Sequence, residues 1–452
     1  MHVGVSLAAA LALAACAQLK LAAPETPVQA AEPLPLPPTE PAWATAPPPP
    51  PRAAADTGPI IHRVGLLVPL GGAPGQVGRD LLAAVQMALF DLPGDRVELL
   101  PRDSGATAET AVAAAKRLIE EDRVALILGP LLSETVQAVA PVARAAGVPL
   151  IAFSNDQAAA SDGVYVLGFA LQEQVRRVMG FARGRGFGQF AALVPSSDYG
   201  SLMAASIAAS AASLGVAMAD TAWYPTDPAD TTGRTEVVKR LADYEARHLA
   251  LKQQREELAV RDDEFSRRAL KRLEILDTLG DVGFDALVLP AGGNEVRELA
   301  PLLAFYDVDP ARVKLLGTWL WDDPTLGLEP TMIGAWFAAP PPDARGAFVD
   351  RFAGLYGRRP SRLATLGYDA MALAAVLASR ADTATAEADG GAAMAPFSLD
   401  ALASPNGFAG MDGIFRLLPS GRAERGLAVL EIRKEGIVVV DPAPQSFVSV
   451  VN

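Results

Sequence analysis

The feature that most constrains the fold of this 452-residue chain is a repeated alternation of short apolar runs with helical stretches after residue 60. Residues 63–69 form the first run, residues 78–92 have helical spacing, and residues 97–101 form the next run. Several later runs, such as residues 124–128, are apolar throughout, without polar residues at alternate positions. Strands of that kind belong to a parallel sheet with helices on both faces, so the sequence predicts an α/β fold.

The alternation continues to about residue 317, which is more chain than one sheet accommodates. About 390 residues follow the start of the first run, and one hydrophobic core rarely serves that many. We therefore expect two doubly wound, Rossmann-like lobes. Their limits are residues 60–169 with about 319–385 for lobe 1, and residues 170–318 with about 386–452 for lobe 2.

Several short segments add a family resemblance to this pattern. They are VGLLVPL at residues 64–70, RDS at 102–104, GPLLS at 129–133, DYG at 198–200 and GYDA at 367–370. In order and spacing these segments resemble the type I periplasmic binding proteins of the branched-chain amino-acid receptor group, which include the leucine-binding proteins. The resemblance covers nearly all of residues 60–442 and implies a two-lobed fold with a ligand cleft.

A closer likeness lies within that superfamily. The segment VGRDLLAAVQMALFD at residues 77–91 is similar to the first helix of the penicillin-binding-protein activator lipoproteins. This likeness implies a non-catalytic scaffold or activator that reaches a cell-wall synthase or another envelope protein and serves peptidoglycan synthesis. The rival hypothesis is a substrate-binding receptor of an ABC transporter, which would bind an amino acid or a similar small ligand.

The only cysteine, Cys16, ends the stretch LAAC behind an apolar run at residues 3–13. That run is too short to span a bilayer but has the length of a secretory signal. The ending resembles the bacterial lipobox, in which the cysteine is acylated; the alternative is a signal peptide with an incidental cysteine. We expect residues 1–15 to be a lipoprotein signal peptide and Cys16 to be the site of lipid attachment. With Ala17 next in the chain, the resemblance implies the periplasmic face of the outer membrane.

Residues 16–59 are predicted to be the lipid anchor and a tether, because they are rich in proline, with proline at every position from 47 to 51. A polyproline II chain rises about 3.1 Å per residue, so the tether could hold a domain up to roughly 100 Å from the lipid. A spacer without any length requirement is the alternative. The net charge of −13 argues against nucleic acid or an anionic lipid surface as a partner, which leaves the anchor as the membrane contact.

Ligands of open α/β sheets bind at the carboxyl ends of the strands, where loops lead into helices. Ser133 and Thr135 open a helix directly after an apolar run, and its free N–H groups could hold a carboxylate or phosphate. The alternative is that these residues only cap their own helix.

In the receptors that the motifs resemble, two lobe 1 turns hold the backbone groups of the amino acid, and a tyrosine covers it from lobe 2. Trp319 and Asp322 stand where such a receptor places the residue that meets the ammonium group. The neighbouring tryptophans Trp319 and Trp321 could either line an apolar pocket or plug the cleft. The candidate ligand-binding residues are Ser133, Thr135, Ser154, Asn155, Tyr199, Trp319 and Asp322.

Residues 234–279 lack glycine and proline and are dense in charges of both signs. This stretch is predicted to be helical, as one long helix or a helical hairpin inserted in lobe 2. Apolar residues recur along it at every seventh position and could dock a partner, or the helices could pack on themselves. These positions are Tyr244, Leu251, Leu258 and Phe265.

An enzymatic role has little support in the sequence. Beyond the signal segment only His62 and His248 remain, too few for a Ser-His-Asp site or a histidine-rich metal site. There is no G-x-S-x-G elbow, P-loop or dinucleotide fingerprint. The sequence therefore predicts a protein that acts by binding, with neither metal nor cofactor.

Overall fold

The computed structural model describes residues 60–92, 96–261, 263–387 and 395–447, which belong to one compact unit. The predicted signal peptide at residues 1–15, the lipid site Cys16 and the tether at residues 16–59 lie outside the described residues. Within the described ranges, every helix falls short of the combined length and apolarity that crossing a membrane would require.

The chain first builds lobe 1, a parallel sheet with helices on both faces. The elements are β1 (His62–Val68), α1 (Gly75–Asp91), β2 (Val97–Asp103), α2 (Ala108–Glu120), β3 (Leu126–Leu128), α3 (Ser133–Ala145), β4 (Leu150–Ala152) and β5 (Val164–Val166). In the sheet the strands lie in the order β2-β1-β3-β4-β5. Strands β3 and β4 are apolar and fully buried, because helices cover both faces of the sheet.

Residues 167–170 lead into lobe 2, where a second strand-helix series follows. Its elements are α4 (Leu171–Gly184), β6 (Gln189–Pro195), α5 (Asp198–Leu214), β7 (Ala217–Tyr224), α6 (Thr231–Leu241), α7 (Tyr244–Ala259), α8 (Glu264–Leu273), β8 (Ala286–Val288), α9 (Gly293–Phe305), β9 (Lys314–Gly317) and β10 (Trp336–Ala339). Local chemistry sets the limits of α5. The Ser197 side chain accepts a hydrogen bond from the Gly200 N–H, and Gly215 ends the helix in a left-handed conformation.

A return segment then packs on lobe 1. It contains α10 (Pro342–Tyr356), α11 (Ala364–Glu387), α12 (Leu399–Leu402), β11 (Phe408–Gly410), β12 (Gly413–Leu417) and β13 (Ala423–Arg425). Phe348 and Phe352 of α10 and Phe415 of β12 belong to the same hydrophobic core as Leu66 of β1. Helix α11 lies along α1.

The chain finishes in lobe 2 with the antiparallel strands β14 (Ala428–Arg433) and β15 (Gly436–Asp441). They extend the lobe 2 sheet, whose order is β15-β14-β10-β9-β8-β6-β7. Two doubly wound lobes, as predicted from the alternation, are therefore the architecture of the described chain.

Two lobe boundaries differ from the sequence analysis. Strand β10 pairs with β9 and β14, so lobe 2 extends to about residue 340, whereas the sequence placed its end near 319. Side chains between residues 397 and 423 lie in the core of lobe 1. The final crossing of the chain from lobe 1 to lobe 2 therefore follows Arg425 and is not near residue 386. Sheet pairing and core contacts decide lobe membership, and a linear apolar pattern does not encode either.

The charged stretch at residues 234–279 is helical, but it is divided among α6, α7 and α8. Asp243, with a φ of 47°, separates α6 from α7. Helices α7 and α8 pack against each other as a hairpin, and the Arg255 guanidinium of α7 donates to the Leu273 and Leu276 carbonyls at 2.6 and 2.9 Å.

The four seven-residue positions do not form one surface on this hairpin. Leu251 and Leu258 are buried, and Tyr244 packs edge-on against Tyr306. Phe265 is 77% exposed, because the turn between α7 and α8 places it on a different helix and interrupts the repeat. Of the four residues, Phe265 is the one whose side chain is largely accessible to a partner.

Gly78 allows a close approach between α1 and the end of β1. A Cβ at this position would lie 1.7 Å from the Pro69 carbonyl oxygen. We expect Gly78→Ala to lower the free energy of unfolding by about 2 kcal/mol, because the helix or the strand end must move.

Gly71→Ala is the matched control, since a Cβ there meets no atom within 4 Å. It should change the free energy of unfolding by less than about 0.5 kcal/mol. Urea unfolding of both variants measures the difference, and equal stabilities would contradict the proposed close approach.

Candidate functional site

Two of the serines predicted for lobe 1 meet at the carboxyl ends of neighbouring strands. Strands β3 and β4 are parallel neighbours, Ser133 begins the helix that follows β3, and Ser154 lies two residues beyond β4. Their hydroxyl oxygens are 3.0 Å apart, which is hydrogen-bonding distance. The Ser154 oxygen also accepts a hydrogen bond from the Asp156 N–H at 3.1 Å. The structure therefore brings together two residues that lie 21 positions apart in the chain.

The N-terminus of α3 has no side-chain cap. Its N-cap residue is Leu132, and the Ser133 hydroxyl contacts Ser154. The fully buried Thr135 donates its hydroxyl to the Leu132 carbonyl at 2.7 Å, while Asn155 is exposed. Ser133 and Ser154 thus lie beside a helix end that retains its partial positive charge, whereas the Thr135 hydroxyl is committed to the backbone.

Tyr199 opens α5 on the lobe 2 side. Its hydroxyl donates to the Pro290 carbonyl, just beyond β8, at 3.2 Å. Burial raises the pKa of Tyr199 to about 12, so the hydroxyl stays neutral at physiological pH. The side chain is thereby held to lobe 2, and its ring is the part left to contact a ligand.

The two tryptophans that follow β9 have different environments. Trp321 is fully buried and donates its indole N–H to the Ala291 carbonyl at 2.7 Å, so it belongs to the core of lobe 2. Trp319 is half-buried, and its ring centroid lies 5.6 Å from that of Phe169 in the first crossing. The Arg362 guanidinium of lobe 1 lies 5.8 Å from the Trp319 ring. Trp319 therefore fills space where the two lobes and the crossing meet.

Asp322 of lobe 2 forms an ion pair with Arg345 of α10, which packs in lobe 1. The Asp322 side chain is only 16% exposed. An ammonium group of a ligand would have to compete with this guanidinium for the carboxylate. The residue predicted to meet the ammonium group thus links the two lobes.

A buried cluster of charges lies beside Trp319. The Arg362 guanidinium is 2.9 Å from the Asp412 carboxylate, and that of Arg425 is 3.7 Å from Asp369. Both guanidinium groups also lie over the Phe169 ring, at 4.5 and 5.2 Å from its centroid. Each such contact is favourable, and the paired carboxylates offset part of the cost of burying the two cations.

The sequence analysis did not identify Phe169, Arg362 or Arg425 as part of this region. The one signal was the GYDA segment, which contains Asp369, but the partners of Asp369 lie more than 40 residues later: the Met411 N–H donates to its carboxylate at 2.6 Å, and the Arg425 guanidinium of β13 is 3.7 Å away. Pairing across such a separation leaves no periodic trace in the sequence.

Burial raises the pKa of Asp369 from its ordinary 3.8 to about 7, although Arg425 acts in the opposite direction. Between these two pH values the folded state holds a proton that the unfolded state has released. This carboxyl group therefore adds stability that is fully present below pH 3.8 and is lost as the pH rises through about 7.

Asp369→Asn should remove this dependence. Relative to the variant, the parent protein should lose free energy of unfolding as the pH rises from about 4 to about 7.5, as measured by urea unfolding. Glu98→Gln, in an exposed pair with Arg63, is the control and should leave the pH dependence over the upper part of this range unchanged. A difference between parent and Asp369→Asn that does not vary with pH would contradict the raised pKa.

The comparison with protein families agrees with this architecture. The family model described as periplasmic binding protein matches residues 62–436, which span both lobes. The chain belongs to the periplasmic binding protein family, and its fold is that of the type I members. In the described part of the chain, no three His, Cys, Asp or Glu residues gather as a metal site would require.

Solved structures of transporter binding proteins share the fold. One, described as a branched-chain amino acid ABC transporter from Rhodospirillum rubrum, has a TM-score of 0.65 and 18% identity, covering 84% of this chain and 100% of its own. LivJ from Streptococcus pneumoniae, in complex with isoleucine, has a TM-score of 0.51 and 17% identity, covering 84% and 100%. At these identities the likeness is one of fold.

A sequence relative, an uncharacterized protein of Rickettsia prowazekii (strain Madrid E), is 27% identical over 136 residues. The match covers 30% of this chain and 36% of the relative's length.

Proposed function

We propose that this protein is a non-catalytic binding protein whose inter-lobe cleft holds the carboxylate of a small ligand, such as an amino acid. One observation carries the proposal: the Ser133 and Ser154 hydroxyls lie 3.0 Å apart beside the uncapped N-terminus of α3. With one serine donating to the other, one hydroxyl hydrogen remains free, and together with the free helix N–H groups it suits a carboxylate, because hydrogen bonds to a charged acceptor are the stronger ones. The family, and the shared fold of LivJ in complex with isoleucine, support a receptor role that would serve an ABC transporter.

Lobe 2 supplies the opposite wall of the proposed site. The Tyr199 hydroxyl is occupied by the Pro290 carbonyl, so its ring would cover the ligand without hydrogen bonding to it. The Asp322 carboxylate is neutralised by Arg345, so an ammonium group has no free acidic partner there. The part of the site that would bind the carboxylate is therefore better defined than the part that would bind the other end of the ligand. The ligand class includes amino acids and other small carboxylic acids.

The placement of the histidines supports a role without catalysis. His62 lies against Phe397 in lobe 1, and His248 of α7 in lobe 2 contacts the Asp277 carbonyl at 2.7 Å. The two belong to different lobes, and the ring nitrogen of His248 is engaged by the backbone.

Removing the two hydroxyls should abolish ligand binding. A panel of amino acids and simple carboxylic acids should raise the unfolding temperature of the parent protein, since a ligand at 100 times its dissociation constant adds about 2.7 kcal/mol of stability. Ser133→Ala combined with Ser154→Ala should weaken binding at least about tenfold, because hydrogen bonds to the charged carboxylate are lost.

Ser379→Ala on α11 is the control for loss of a serine hydroxyl, and it should bind like the parent. If no member of the panel shifts the parent, or if the double variant binds as well as the parent, the carboxylate proposal fails.

A second candidate role is the scaffold or activator of a peptidoglycan synthase, anchored through Cys16 to the periplasmic face of the outer membrane. The observation that favours it is the helical insertion, where Val260 and Phe265 flank the turn between α7 and α8 and are 86% and 77% exposed. Exposed apolar side chains of this size, in a setting rich in arginine, are typical of protein contact sites. The anchor and the proline-rich tether expected from the sequence suit a partner at a distance from the membrane.

This role can be tested with a purified penicillin-binding protein. The parent protein should increase the rate of peptidoglycan synthesis, and Val260→Ser combined with Phe265→Ser should reduce that effect by about fivefold or more, as expected for the loss of an apolar contact. Leu355→Ser, which removes a 60% exposed apolar side chain from α10, is the control and should retain the effect. Absence of stimulation by the parent would contradict the role.

A further inference from the structure

An ion pair joins the two lobes beside a crossing between them. Asp322 of lobe 2 follows the short helical turn Trp319–Trp321 after β9, and Arg345 lies near the start of α10, just after the chain passes from β10 into lobe 1. The other ion pairs identified among the described residues each join side chains of a single lobe. Asp323, the next residue, is an example, because it pairs with Arg297 of α9 inside lobe 2. A movement of one lobe against the other would therefore act directly on the Asp322–Arg345 pair.

Each partner of this pair is fixed to its own lobe. The Asp322 N–H donates to the Trp319 carbonyl at 3.0 Å, and Trp321, in the same turn, is fully buried in the lobe 2 core. On the other side, Phe348 lies about one turn beyond Arg345 in α10 and is buried in the lobe 1 core. Because packed cores hold both backbones, the ion pair connects the lobes and not two mobile loops.

The pair is largely withdrawn from water. The side chains of Asp322 and Arg345 are 16% and 25% exposed. Attraction between two charges is stronger, and less screened by salt, where little water surrounds them. An uncompensated carboxylate in this position is costly, and separation of the lobes would let water reach it.

The attraction of Asp322 to lobe 1 depends on Arg345. Arg362 is another lobe 1 arginine beside this turn, with its guanidinium 5.8 Å from the Trp319 ring. That guanidinium is 2.9 Å from the Asp412 carboxylate, so its charge is already paired within lobe 1. Arg362 therefore does not replace Arg345 as the partner of Asp322.

We propose that the Asp322–Arg345 pair is a latch between the lobes. It stabilises the lobe arrangement described above, and loss of either charge shifts the protein toward an arrangement in which the lobes lie further apart. The latch does not depend on a ligand in the cleft, so it can be tested on the protein alone. A purely local role would differ, because loss of the pair would then leave the distance between the lobes unchanged.

The distance between two spin labels, one on each lobe, tests the latch. Cys16 is the only cysteine in the sequence, so the full-length chain with Cys16→Ser provides a background free of cysteine. Glu134→Cys in α3 and Ser201→Cys in α5 then place one label near the start of a helix in each lobe, at positions that are exposed. Pulsed electron spin resonance gives the distribution of distances between the labels.

Arg345→Gln should shift the equilibrium at least about tenfold toward longer distances, because it leaves the Asp322 charge uncompensated. Asp322→Asn should act in the same direction. It is the milder variant, because Arg345 is 25% exposed and its long side chain can turn toward water. Arg312→Gln is the control, since it removes one partner of an exposed pair with Asp281 inside lobe 2, and it should give the parent distribution.

Exchange of the two charges separates the latch from damage to the fold. Asp322→Arg combined with Arg345→Asp should return the distances toward those of the parent, because the attraction is restored with opposite polarity. Unchanged distances in both single variants would overturn the latch, whether or not their free energy of unfolding falls. Lengthening that the exchange does not reverse would also overturn it, because the shift would then come from disturbed packing and not from a lost attraction.

Discussion

Two arginines buried against one phenylalanine form a charged cluster beside the crossings between the lobes. Phe169 belongs to the first crossing between the lobes, Arg425 immediately precedes the last crossing, and Arg362 leads into α11 of lobe 1. Buried guanidinium groups are costly unless they are paired: Asp412 pairs with Arg362, and Asp369 lies beside Arg425 but keeps its proton up to about pH 7, because burial raises its pKa. Removing one partner from such a buried pair costs about 3–5 kcal/mol, so this arrangement constrains the geometry of both crossings.

The same cluster lies beside residues that were expected to bind a ligand. Trp319 packs against Phe169 and Arg362, and Asp322 forms an ion pair with Arg345. These two lobe 2 residues, which were expected to bind a ligand, therefore contact lobe 1 instead. Ser133 and Ser154 lie just beyond the carboxyl ends of β3 and β4, and the Ser154 carbonyl accepts a hydrogen bond from the Gly168 N–H, next to Phe169. Ser133 and Ser154 therefore keep an uncapped helix N-terminus beside them, whereas the Asp322 charge is already balanced by Arg345.

Arg425 also connects this cluster with α4. Its guanidinium lies near Asp369 and over Phe169, while its backbone N–H donates to Glu173 of α4.

The sequence was sufficient for the class of fold and for the positions of two candidate site residues after their strands. Continuous apolar runs such as residues 124–128 predict buried parallel strands, and turn positions such as Ser133 and Ser154 follow from where those strands end. The hairpin at residues 234–279 was one of two helical alternatives. Phe265 lies apart from the other three seven-residue positions, because the sequence does not show where a long helical stretch turns back.

What the sequence by itself determined is therefore local: which residues are buried, which segments are helices or strands, and which loops follow the carboxyl ends of the strands. The tertiary structure alone decided the lobe boundaries near residue 340 and after Arg425, the environment of Trp319, and the meeting of Arg362 with Asp412. The physical reason is that hydrophobic periodicity acts between residues a few positions apart. Ion pairs and ring contacts between distant segments form only when packing places them together, and they follow no sequence period.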